Sequence, residues 1–300
     1  MLAMIPAIVS YMETSESVRF LNMFRDLSGL KEIGDVMSES AALFSEFMSN
    51  NYFILFMGIG YWCIIGTYML IVRFLEKNKL ATLGLPSGKA LAEQGKSAPF
   101  KMYLKGMGQG FLMISCVYVV LFVTGQVSFK GFALSSENAG LFILYILMWI
   151  PQGATEEIMM RGYMMPRIAG RFGVPFAVFF SSFWFSVMHA ANAGFSILAM
   201  INLILIAALF ALIALSDGHI YRVCAMHTLW NFCQGNLYGL EVSGNPQSAS
   251  IFASGYTKMS TDIMSGGTFG PEGGLCVTLV IACTFILFFL KRKKGKPAKV

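Results

Sequence analysis

The chain has 300 residues, of which 56% are hydrophobic and only 13% charged, a balance far from that of soluble globular domains. The apolar residues fall into blocks of the length needed to cross a bilayer, about 20 residues per helix, which excludes a soluble enzyme. The formal charge of +6 is set by where cations punctuate these blocks, so it is no sign of a nucleic-acid partner.

Residues 1–50 are mixed and polar after the opening MLAMIPAIVSYM, which is apolar, too short to span and without the basic flank of a signal peptide. They are expected to form one or two short amphipathic helices at the membrane surface. Seven apolar segments follow, at about 52–72, 108–127, 139–160, 174–190, 196–215, 220–239 and 275–290. In lipid every backbone donor and acceptor must be satisfied within the protein, and the alternation of a barrel strand is absent, so the segments are read as helices. The expected fold is an all-α polytopic bundle of about seven spans (six to eight). It divides into a polar head (1–50), two spans with a basic loop between them (51–137), a dense four-helix core with short turns (138–239), and a Gly/Ser-rich flexible outer loop with a last span and basic tail (240–300).

Cations between the segments repeat on one side. Lys77, Lys79, Lys89, Lys96, Lys101 and Lys105 follow the first span, Arg167 and Arg171 the third, Arg222 the fifth, and Lys291 to Lys294 the last. The positive-inside rule then puts the N-terminus outside and the C-terminus in the cytoplasm. All six cysteines fall within spans and read as packing residues, with no disulfide or zinc spacing.

Ionisable groups inside a membrane are costly and point to function. Here they cluster: Glu156, Glu157 and Arg161 at the end of the third span, His189 at the end of the fourth, and His227 with Asn231 in the sixth. Glu157 and Arg161, four apart, lie on one helix face and can pair. Glu156 points elsewhere and has no evident local partner, which suits a general base. His227 and Asn231 share a face, as do Phe185 and His189. Glu156 and His189 are equally distant from the Phe172–Gly173 turn, so at about 1.5 Å rise per residue two antiparallel helices bring them to one level.

The segments EEIMMR (156–161), FSVMH (185–189) and HTLWN (227–231) resemble, in this order, the EExxxR, FxxxH and HxxxN motifs of the CPBP family of intramembrane proteases. That family includes the type II CAAX prenyl endopeptidases and bacterial proteins of bacteriocin processing and self-immunity. The resemblance covers residues 138–239. It implies a glutamate-dependent peptidase in which Glu156 activates water with help from His189, while His227 and Asn231 donate hydrogen bonds to the oxyanion. Glu157 and Arg161 then keep the motif helix in register, and Phe185 packs beside His189.

Two histidines and a carboxylate also form a zinc-type donor set. The resemblance favours a metal-free mechanism, however, and no metal or other cofactor is expected. The implied partners are membrane lipids and a peptide or protein substrate, with lipid-modified and membrane-embedded chains among the candidates. The expected location is a bacterial plasma membrane. Two other readings stay open on the residues alone: a catalytically silent scaffold or immunity protein, and a transporter using the Glu/His/His/Asn cluster as a cation or proton site.

Overall fold

The computed structural model describes residues 51–294, and the expected surface helices of the first 50 residues lie outside them. Helix α1 (Asn51–Leu70) runs on into a π turn (Ile71–Leu75). A 3-10 turn (Leu80–Leu83) and the short α2 (Gly88–Glu93), capped by the Ser87 hydroxyl accepting from Ala90 N at 3.2 Å, cross to α3 (Pro99–Val123). Strand β1 (Val127–Phe132) precedes α4 (Ala139–Glu157), which passes through a seven-residue π segment (Ile158–Met164) into α5 (Met165–Phe172). Gly173, at φ +83°, turns the chain back into α6 (Val174–Val187). Then come α7 (Ile197–Asp217), α8 (Tyr221–Phe232) with a π turn (Cys233–Leu237), β2 (Phe252–Tyr256), the one-turn α9 (Asp262–Ser265), two 3-10 turns and α10 (Leu275–Lys294).

Three of these helices are long and apolar enough to cross a membrane: Phe53–Leu75, Pro99–Val123 and Ile197–Asp217. Val174–Val187 and Leu275–Lys291 are apolar but shorter. Among the described residues, three of the seven expected segments thus meet that length and composition as single helices. The reason is local: α4 to α5 carries Glu156, Glu157, Arg161 and Arg167, and α8 is short and polar where it holds His227 and Asn231.

The helical expectation stands for most of the described residues, with one short two-stranded sheet that it does not include. Strands β1 and β2 pair antiparallel, from Val127 opposite Tyr256 to Phe132 opposite Phe252, with a bulge between Phe129 and Gly131. This ladder ties the end of α3 to the loop after α8. The stretch 240–274, expected as a flexible loop, is accordingly packed onto the helices, with Leu240, Val242, Ala249 and Phe269 all buried.

The centre of the bundle is α8, whose residues Arg222 to Thr228 are all buried. A helix buried on every side needs neighbours that come close, and small residues permit it. Gly106 and Gly110 of α3 lie so near the α8 backbone at Arg222 and Met226 that a Cβ there would collide with their carbonyls. Gly153 of α4 also comes close to α8, where an added Cβ would stand 2.7 Å from Thr228 N. The core around α8 is built from Val117, Leu121, Leu209, Ile213, Met226 and Ile281.

Candidate active site

The π segment Ile158–Met164 follows directly on the two adjacent glutamates and carries Arg161. Its wider turn changes the helix phase within the motif, between the glutamates and Arg161, a feature frequent at functional positions. Glu157 is fully buried and Arg161 almost so, and they pair at 3.0 Å. Arg161 also donates through Nη2 to the Ala207 carbonyl of α7 at 2.8 Å, and its guanidinium lies 5.2 Å from the Phe185 ring centroid. The arginine thus fastens the motif helix to α6 and α7.

The same carboxylate oxygen of Glu157 that meets Arg161 also faces His227 Nδ1 at 2.9 Å. A carboxylate oxygen that already accepts from Arg161 accepts here too, so Nδ1 carries a proton. His227 Nε2 is then directed to Glu156, 3.5 Å from Oε2. His227 therefore stands between both glutamates of the motif.

Glu156, expected to lack a local partner, has one: Gln152, one turn earlier, donates from Nε2 to Glu156 Oε1 at 2.7 Å. The Gln152 amide oxygen in turn accepts from Asn231 Nδ2 at 3.0 Å. One amide thus orients the carboxylate and the asparagine together. Glu156 Oε2 is buried and has no hydrogen-bond partner. Gln152 was not among the expected site residues. Its sequence signal is a buried amide four residues before Glu156, on the same helix face.

His189 hydrogen-bonds its own helix. Nδ1 lies 2.8 Å from the Phe185 carbonyl, which fixes Nδ1 as the donor and leaves Nε2 free. The Phe185 ring packs 4.8 Å from the His189 ring and 6.0 Å from the His227 ring. It packs against both histidine rings, where the expectation names His189 alone.

Glu156, His189, His227, Asn231, Gln152, Arg161 and Phe185 all border one cavity of about 890 Å³. Its remaining wall is largely apolar, from α1 (Ile54, Met57, Ile64), α7 (Leu203, Ile206, Phe210) and α10 (Val277, Ile281). Concave apolar space with a few convergent polar groups is the usual form of a substrate site. Among the described residues no group of three His, Cys, Asp or Glu side chains is arranged to hold a metal ion. Asn192, three residues after His189, donates to the Ser243 carbonyl at 2.8 Å and so joins this turn to the packed loop.

Residues 138–233 match the family model described as Type II CAAX prenyl endopeptidase Rce1-like. No curated protein and no solved structure matches the chain. The matched stretch contains all three motifs and every residue of the expected catalytic set.

Proposed function

We propose that this chain, an integral membrane protein whose residues 138–233 belong to the CAAX-type protease family, hydrolyses a peptide bond with a water activated by Glu156. The observation that carries the reading is the approach of Glu156 Oε2, buried and without a hydrogen-bond partner, to His227 Nε2 at 3.5 Å on the wall of a large apolar cavity.

The chemistry follows from which atoms are committed and which are free. Glu156 Oε1 is held by Gln152, leaving Oε2 to take a proton from water as the water oxygen bonds to the scissile carbonyl carbon. Asn231 spends one Nδ2 hydrogen on Gln152 and keeps the other for the oxyanion. An imidazolium at His227 donates at both nitrogens, to Glu157 from Nδ1 and to the oxyanion from Nε2. His189, with Nε2 free, accepts from the second hydrogen of the water and so helps hold it, and Glu156 returns the abstracted proton to the departing amine as the C–N bond breaks, which leaves Glu156 ionised again. Glu157 and Arg161 act through His227 by fixing its ring.

The apolar wall suits a substrate presented from the bilayer, a membrane-embedded or lipid-modified chain. The distribution of lysine and arginine supports an orientation with the basic connections in the cytoplasm. Peptide or protein maturation and bacteriocin self-immunity are the roles within the family that fit a chain of this kind.

The test is cleavage of a mixed peptide pool by the purified full chain in detergent, read by mass spectrometry. Products made by the wild type and lost in Glu156→Gln support the reading. Products that persist at the wild-type rate in Glu156→Gln remove Glu156 from the reaction.

A further inference from the structure

Besides Glu156, a second carboxylate borders the cavity, from outside the matched region. Glu272, in the 3-10 turn before α10, is 6% exposed and lines the same cavity as Glu156 and both histidines. Its Oε2 accepts from Gln234 Nε2 at 2.7 Å and from Ser243 N at 2.9 Å, and its Oε1 from Ser243 Oγ at 3.2 Å. Its backbone carbonyl accepts from Asn202 Nδ2 of α7 at 2.8 Å. Burial pushes this carboxyl above the usual glutamate value, and the Ser243 and Gln234 donors together with the nearby His189 act against that.

The partners of Glu272 are what give it meaning. Gln234 lies in the π turn directly after the helix that carries His227 and Asn231. Ser243 adopts φ +48°, unusual for a residue with a side chain, and both its N–H and its hydroxyl are spent on Glu272. The Ser243 carbonyl in turn receives the side chain of Asn192, whose own N–H bonds the carbonyl of His189 at 3.0 Å. Next to it, Gly244 approaches Ala193 so closely that no Cβ would fit. A chain of bonds therefore runs from Glu272 through Ser243 and Asn192 to the turn that presents His189.

We propose that Glu272 is a positioning residue of this site, holding the His189 turn in place through Ser243 and Asn192. The inference rests on the peptidase reading for its catalytic consequence, but the mechanical tie stands on its own. A buried carboxylate that only closed a loop would need no link to both histidine-bearing elements.

The experiment compares Glu272→Gln and Asn192→Ala with the wild-type full chain in detergent, by hydrogen exchange and by cleavage kinetics. Glu272→Gln keeps the shape but removes the charge, and Asn192→Ala cuts the link while leaving the carboxylate in place. Both are expected to raise exchange in residues 188–195 and leave α3 unchanged. Both should lower kcat about tenfold or more with KM within about twofold, because displaced catalytic groups cost rate more than binding. Unchanged exchange at 188–195 in either variant, or a loss confined to KM, overturns the inference. Loss of the peptidase reading would show separately, as cleavage surviving Glu156→Gln, while the exchange result would still judge the tie.

Discussion

His227 and Glu157 meet at 2.9 Å through Nδ1 and Oε1, on the same oxygen that Arg161 reaches at 3.0 Å. The second glutamate of the motif is therefore part of the site, where the i,i+4 spacing alone makes it a partner of Arg161. One buried anion sets the ring orientation of a histidine and neutralises an arginine at the same time.

Removing that anion should be costly. In Glu157→Gln the guanidinium of Arg161 stays buried, with the Ala207 carbonyl as its remaining strong acceptor. Breaking one side of a buried ion pair costs about 3–5 kcal/mol. Unfolding in detergent should show a loss of this size, accompanied by loss of cleavage. A variant as stable as the wild type would mean that the pair is not buried as described.

Gln152 should matter nearly as much as the motif residues. In Gln152→Ala both Glu156 and Asn231 lose their shared support. Misplacement of this kind costs about tenfold to a hundredfold in rate. Cleavage kinetics should show the loss in kcat, with the unfolding temperature nearly unchanged. A wild-type kcat would rule out the amide as the element that orients the two groups.

The close approach of α3 to α8 predicts a contrast between neighbouring glycines. A Cβ at Gly110 would press on the Met226 backbone, whereas Gly108 has nothing within 4 Å. Overpacking of a fitted core costs about 1–3 kcal/mol. Gly110→Ala should thus lower stability and activity, and Gly108→Ala should change neither. Equal behaviour of the two in thermal unfolding would contradict the packing.

His219, in the turn before α8, predicts a pH dependence. Burial holds its imidazole below the usual value; Lys96 and Arg222 act the same way and Asp217 opposes them. The folded state thus binds this proton less readily than the unfolded chain. Its contribution to stability is fully present above the ordinary imidazole value of about 6.5 and is lost as pH falls through the window below it. The unfolding temperature should drop between pH 7.5 and 5.5, and His219→Asn should flatten that part of the slope. An identical slope in the variant would assign the dependence to other groups.

The sequence by itself determined that the chain is a membrane protein and that its helices turn back at Gly173, and it supplied the motif residues expected at the candidate site, Gln152 excepted. Each of these rests on local or periodic information: apolar length, a glycine between two apolar helices, and ionisable groups that lipid penalises. The tertiary structure alone decided the rest. The pairing of β1 with β2 joins residues over a hundred positions apart, and neither segment alternates strongly enough to announce a strand. The seat of Glu272 depends on Ser243 and Gln234, which spacing along the chain cannot relate to His189. The roles of Gln152 and Glu157 likewise depend on how α8 lies across α4. That contact is set by Gly153, as the contact of α3 with α8 is set by Gly106 and Gly110, and the meaning of these glycines appears only when another backbone occupies the space a side chain would need.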